Sequence, residues 1–173
     1  MGKRYGIECS ECDYSILVTE GVGMRYSPNA VFYGSCNDPS QKWSIAFPDG
    51  LCKPGKPLLD DLVENESIKS RAFALIEAGA TPTKEYGHEL YICPKCNRLH
   101  NNFYFQLKSV TEDYEPDYKC SHCKSLLERA ELKTENGLRM MIFFKSNENA
   151  NWKCPQCGND KLEFMNGSLL RWD

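Results

Sequence analysis

Glu89-Leu90-Tyr91-Ile92-Cys93-Pro94-Lys95-Cys96-Asn97 is the stretch on which the reading of this chain turns. An apolar run leads into two cysteines three positions apart, with a proline fixing φ between them. Thiols so spaced on a tight turn aim both sulfurs at one point. The same spacing recurs at Cys9 and Cys12, at Cys120 and Cys123, and at Cys154 and Cys157. Two such turns complete the tetrahedral four-thiolate shell that zinc takes. The opening Met1-Gly2-Lys3-Arg4-Tyr5-Gly6 carries no apolar leader, so the expected compartment is the reducing cytoplasm. There the spacing favours metal over disulfides. The expectation is two Zn2+ ions held by Cys9, Cys12, Cys93, Cys96, Cys120, Cys123, Cys154 and Cys157.

Which pairs share an ion is read from the residues downstream of each. Cys9/Cys12 and Cys93/Cys96 lead into longer strand-like runs, such as Tyr14-Ser15-Ile16-Leu17-Val18-Thr19. Cys120/Cys123 and Cys154/Cys157 lead into short segments. The first two look like knuckles that open a hairpin and the last two like knuckles that close one. Twenty-three residues separate Cys96 from Cys120, a comfortable hairpin. That grouping leaves Cys9/Cys12 with Cys154/Cys157, one ribbon nested inside another. Sequential grouping, first pair with second and third with fourth, is the alternative. The residue after each knuckle takes a left-handed turn that glycine, asparagine or aspartate tolerates. Asp13, Asn97 and Gly158 suit it; Lys124 does not.

The rest of the chain is quieter. Residues 28–57 hold five prolines and two lone cysteines, Cys36 and Cys52; they read as irregular structure packed by its aromatics, with the lone thiols buried. In residues 58–79, Ile68, Ala72, Leu75, Ile76 and Gly79 share one helical face. Asn65 or Ser67 is placed to cap that helix, the acids near its start match the dipole, and Gly79 is placed to end it. Leu58, Leu59, Leu62 and Val63 suggest a short helical turn before it. The pair of glycines at Gly21 and Gly23 reads as a bend or a close backbone approach. Phe103, Phe105 and Leu107 alternate with Tyr104, Gln106 and Lys108, the pattern of a half-buried strand, and Met140-Met141-Ile142-Phe143-Phe144 reads as another. The fold expected is α+β: a small zinc-stabilised protein with two ribbons of short antiparallel hairpins and one or two helices. Residues 1–27 with 134–173 form the outer ribbon, 28–92 an irregular and helical insertion, and 93–133 the inner ribbon.

The run Glu8-Cys9-Ser10-Glu11-Cys12-Asp13-Tyr14 followed by Gly21-Val22-Gly23-Met24 resembles the opening of a group of small bacterial zinc-ribbon proteins of uncharacterised activity. So do Glu89–Cys96 leading to Phe103-Tyr104-Phe105, and Tyr118-Lys119-Cys120-Ser121-His122-Cys123. The resemblance leaves out residues 28–57, and this chain lacks the proline of the knuckle at Cys9/Cys12 and at Cys120/Cys123. It implies a cytoplasmic zinc ribbon with no assigned activity.

Several chemistries find no support. No run is long and apolar enough for a membrane helix. Phosphate-loop, dinucleotide and nucleophile-elbow motifs are absent. His88, His100 and His122 are scattered, without the spacing of a catalytic zinc site, so no catalytic residue is expected. A third metal site from Cys36, Cys52 and His88 lacks the paired spacing. The formal charge is −3, and two four-thiolate sites each holding a dication would bring it to about −7. Sequence-independent nucleic-acid binding needs the opposite sign. The expected role is therefore a non-catalytic adaptor that meets another protein. A nucleic-acid module is the first alternative, resting on Lys95, Arg98, Lys108, Lys119, Lys124 and Arg129. A zinc and thiol redox sensor is the second.

Overall fold

The computed structural model describes residues 2–23, 26–34, 56–135, 139–144, 147–165 and 170–172. Cys36 and Cys52 lie outside them, as does most of the proline-rich segment. Within the described residues are ten strands and three helices: β1 (Gly2–Cys9), β2 (Ser15–Glu20), α1 (Pro28–Tyr33), α2 (Leu59–Leu62), α3 (Glu66–Glu77), β3 (Thr81–Ile92), β4 (Leu99–Lys108), β5 (Asp113–Tyr114), β6 (Glu128–Glu135), β7 (Arg139–Phe144), β8 (Asn147–Asn151), β9 (Leu162–Phe164) and β10 (Leu170–Trp172). The chain divides into two compact units. The first takes residues 1–21, 87–102 and 117–172; the second takes 22–86 and 103–116. All eight paired cysteines fall in the first unit.

In the first unit β1 is paired on both edges. β2 runs antiparallel along it from Lys3↔Glu20 to Glu8↔Ser15. β10 meets Gly2–Arg4, and β9 meets Ile7–Cys9. β7 joins β9 through Met140↔Leu162 and pairs with β6 from Ala130↔Phe144 to Glu135↔Arg139. β6 meets β3 at Tyr91↔Arg129 and Ile92↔Glu128. Apolar side chains of these strands bury together: Tyr5, Ile7, Val18, Leu90, Ile92, Leu99, Ala130 and Leu162, with Trp152, Cys9 and Cys154 among them.

β2 carries an unusual partner. Asn101 on β4 accepts from the Thr19 N–H at 3.1 Å and donates to the Thr19 carbonyl at 2.7 Å and the Glu89 carbonyl at 3.0 Å. One side-chain amide so bonds three backbone groups of two strands. The Gly21 bend is both things the sequence suggested. Its φ is 72°, and it exchanges two backbone hydrogen bonds with His88 at 2.9 and 3.0 Å. A Cβ on the neighbouring Gly87 would come within 3.1 Å of the Gly21 carbonyl carbon, so only glycine lets the two backbones meet there.

The second unit is built on an aromatic cluster. Phe32 packs edge-on against Tyr86 and Phe105, at centroid distances of 5.7 and 5.9 Å. Phe32 comes from α1, a helix where irregular structure was expected. The local signals are complete: Ser27 caps Ala30 at 3.2 Å, Pro28 opens the first turn, and Gly34 closes it at φ 64°. The prolines around it masked a helix whose own proline stands where a helix accepts one. α3 runs as its periodicity predicts, and α2 is the short helical turn before it. Asn65 caps α3 by accepting from Ser67 and Ile68. The Gly79 N–H bonds the Ile76 carbonyl and the Ala80 N–H bonds the Leu75 carbonyl, closing the helix end. Tyr104 departs from expectation. It is buried along with its neighbours Phe103 and Phe105, so both faces of β4 are covered there and alternation fails as a guide.

Replacing Asn101 by alanine removes its bonds to the Thr19 N–H and to the Thr19 and Glu89 carbonyls. The expected loss is about 2 kcal/mol of unfolding free energy, the order of three part-buried hydrogen bonds. Urea denaturation of the variant beside the native chain measures it.

Candidate metal centres

Each Cys-x-x-Cys pair sits on a turn whose backbone is arranged around sulfur. The N–H of the first cysteine reaches the carbonyl five residues on in all four: Cys9 to Tyr14 at 2.9 Å, Cys93 to Arg98 at 2.9 Å, Cys120 to Ser125 at 2.8 Å and Cys154 to Asn159 at 2.7 Å. In three of them a second bond closes the turn, from Asn97 to Cys93, Lys124 to Cys120 and Gly158 to Cys154. Those three closing residues are left-handed, with φ of 56°, 62° and 76°. The sequence expectation was off at two positions. Lys124 adopts the left-handed turn, and Asp13 does not. A left-handed L-residue costs on the order of 1–2 kcal/mol, which two backbone bonds and the burial of Cys120 offset. The Cys9–Cys12 turn reaches its goal with the outer bond to Tyr14.

These turns point backbone N–H groups at the sulfurs. The N–H of Glu11 faces Cys9, that of Tyr14 faces Cys12, that of Arg98 faces Cys96 and that of Ser125 faces Cys123. Such donors favour a thiolate over a thiol. The first cysteine of each pair is buried: Cys9, Cys93, Cys120 and Cys154. The second is more open, and Cys157 is exposed.

The turns meet two by two. Cys9, Cys12, Cys154 and Cys157 form one cluster, and Cys93, Cys96, Cys120 and Cys123 the other, with all ligand atoms of each within 4.8 Å of one another. The grouping is the nested one. Cys9 and Cys157 sulfurs are 3.6 Å apart, as are those of Cys12 and Cys154. Cys93 lies 3.3 Å from Cys123, Cys96 3.6 Å from Cys120, and Cys123 3.7 Å from Cys96. Four sulfurs about 2.3 Å from a single zinc stand about 3.8 Å apart, whereas a disulfide needs about 2.05 Å. The spacing fits the edges of a metal-centred tetrahedron and excludes sulfur–sulfur bonding. The eight residues thus form two sites, each positioned to hold a metal ion.

Charge within a cluster is uneven. Ser125 Oγ lies 3.5 Å from Cys123 Sγ. That hydroxyl, and next the Ser125 N–H, pull the Cys123 thiol down to about 6. Burial, and then the crowding of Cys93, Cys120 and Cys123 sulfurs, push Cys96 up to about 12 despite the Arg98 N–H. Without a cation, one sulfur of this cluster ionises readily and its neighbour resists. A bound dication removes that conflict by favouring every thiolate. Neither cluster includes a histidine. Burial lowers the affinity of His88 and His100 for protons, with Arg98 adding to the effect at His100.

The sequence reading missed the residues that hold the knuckles in place. Trp152, buried two positions before Cys154, donates its indole N–H to the Asn97 carbonyl at 2.8 Å. The Tyr14 hydroxyl accepts from the Leu99 N–H at 3.2 Å. A tryptophan beside a buried ligand needs a partner for its N–H, and that was the available signal. Across the first cluster Gln156 bonds Asp13, and Lys161 pairs with Glu11 at 3.3 Å.

Metal analysis of the purified, reduced protein is expected to give two ions per chain. The Cys154→Ser, Cys157→Ser variant should retain one, at Cys93, Cys96, Cys120 and Cys123. Because metal displaces protons from sulfurs such as Cys96, each binding event should release protons at neutral pH, and affinity should fall as pH drops. A zinc titration followed by pH electrode in weak buffer reads this directly.

Neither a protein-family model, nor a curated protein, nor a solved structure gives a significant match to the chain.

Proposed function

We propose that each cluster binds one zinc ion, that each pair of knuckles is a zinc ribbon, and that the chain works in the cytoplasm as a non-catalytic adaptor for another protein. One observation carries the reading: each cluster brings four sulfurs within 4.8 Å of one another, with no sulfur–sulfur bond. A four-thiolate shell leaves no coordination position for water or substrate, which is the mark of structural rather than catalytic zinc. Such a site contributes on the order of 10 kcal/mol to folding, a large term for a chain of 173 residues. The likeness of the knuckle segments to small bacterial zinc-ribbon proteins agrees with this.

Charge turns the reading toward a protein partner. Of the six cations from which a nucleic-acid surface was conceivable, Arg129 is spent on Glu89 through two bonds of 2.6 and 2.7 Å. Lys124 folds back onto the Ser121 carbonyl at 3.0 Å. Lys108 belongs to the second unit and the other five to the first. With a formal charge of −3 before metal is counted, little remains to displace counterions from phosphate.

The redox-sensor reading has one observation in its favour, the exposure of Cys157. A ligand open to solvent is the one an oxidant meets first.

Affinity capture from the source cells, with and without nuclease, tests the adaptor. A partner protein retained in both arms supports it, and partners lost with nuclease count against it. In a gel shift at ~150 mM salt, where screening acts over about 8 Å, no binding to single-stranded DNA, duplex DNA or RNA is expected. Submicromolar binding weakened by Lys119→Glu and Lys124→Glu would replace the adaptor with a nucleic-acid module. Zinc release at micromolar peroxide, with Cys157 oxidised first, would replace it with a sensor.

A further inference from the structure

The two cysteine clusters lie in one compact unit, and the residues that shape each reach the other. Trp152 precedes Cys154 of the first cluster. Its indole N–H ends on the Asn97 carbonyl, and Asn97 is the left-handed residue whose own N–H closes the Cys93–Cys96 knuckle at 2.9 Å. Tyr14 lies two residues past Cys12 of the first cluster. Its carbonyl accepts from Cys9, and its N–H faces the Cys12 sulfur. Its hydroxyl accepts from Leu99, next to Arg98, whose carbonyl holds the Cys93 N–H and whose own N–H faces the Cys96 sulfur. The rings of Tyr14 and Trp152 stand 6.0 Å apart at 38°. Beneath them Cys9, Cys154, Ile92 and Leu99 share one buried apolar cluster.

We infer that the two metal sites are coupled through this Tyr14–Trp152 seam, so that filling one pre-organises the other. The inference rests on the metal reading above and deepens it. An ion in the first cluster fixes the turn that carries Tyr14 and the segment that carries Trp152. Both side chains then hold Asn97 and Leu99 where the second knuckle needs them. The ordering cost of the second site is met in part before its ion arrives, which is positive cooperativity. Linkage makes the effect reciprocal: an ion in the second cluster raises affinity at the first by the same factor. Chains with one ion would then be fewer than independent sites give.

The test uses the full chain, stripped of metal under reductant and titrated with zinc alone. Native mass spectrometry counts chains with zero, one and two ions. Couplings of this kind run from about fivefold upward. At half saturation a fivefold coupling of otherwise equal sites holds the one-zinc form to about a third of chains, against about half for independent sites. Trp152→Phe keeps most of the buried ring and removes the N–H donor. Tyr14→Phe removes a single oxygen and serves if the tryptophan variant fails to fold. Both variants should raise the one-zinc share while still binding two ions at saturation. Two ions bound with the same one-zinc share in the native chain and in Tyr14→Phe would overturn the coupling and leave the metal reading intact. Fewer than two ions at saturation in the native chain would overturn the metal reading and the coupling with it.

Discussion

The sulfur of Cys9 and the sulfur of Cys157 are 148 positions apart in sequence and 3.6 Å apart in space, and the first unit depends on that meeting. Closing a loop costs entropy that grows only as the logarithm of its length. Going from the 30-residue separation of Cys93 and Cys123 to the longer one adds roughly 1.4 kcal/mol. That is small against the order of 10 kcal/mol a four-thiolate zinc site supplies. A nested arrangement is therefore affordable for a metal clip, where a weaker contact would not hold it. The strand order reflects the same closure. β9 lies beside β1 because Cys9 ends one strand and the Cys154–Cys157 knuckle leads into the other, and their register brings Cys9 opposite Leu162.

Around each clip the backbone does more than position sulfur. A four-thiolate cluster concentrates negative charge, and the N–H groups aimed at Cys9, Cys12, Cys96 and Cys123 spread it into the peptide chain. This explains why the turn conformation outranks side-chain preference at the closing position. Lysine is a poor left-handed residue, yet Lys124 takes φ 62°, because the Lys124 N–H must reach the Cys120 carbonyl for the turn to close. The side chain adds a bond to Ser121, which a shorter residue could not make. Strain of this kind persists where the surrounding contacts over-determine it.

Much of this was legible because cysteine spacing is a local signal with a geometric meaning. The opener and closer roles of the knuckles came from the length of the strand-like run after each, and the clusters group accordingly. Helix α3 was legible for a similar reason: its apolar period, its Asn65 cap and its Gly79 stop all lie within the segment. What escaped depends on partners far away in sequence. Tyr104 looks like a solvent-facing residue of an alternating strand, and only the covering of both faces of β4 buries it. Trp152 and Asn97 are 55 positions apart, and no spacing rule connects an indole to one carbonyl. α1 was hidden for the opposite reason. Its signals are local, but they sit in a run of prolines whose average argues against any helix.

The two units differ in what they need in order to stay folded. The second is held by ordinary means: the Phe32, Tyr86 and Phe105 rings, the caps of α1 and α3, and ion pairs such as Lys69 with Glu66 at 2.6 Å. The first counts Cys9 and Cys154 among its core residues. Its apolar core and its first cluster are therefore one object, since moving either knuckle of that cluster displaces buried side chains. Losing metal would leave Cys9, which burial pushes up, beside Cys154, which, despite burial, backbone N–H groups hold down, within that core. The aromatic packing of the second unit contains no such group among its described residues. Opening on metal loss would accordingly begin in the first unit, near the exposed Cys157, and spread through Trp152 before it reached the β3–β4 segment that carries the second cluster.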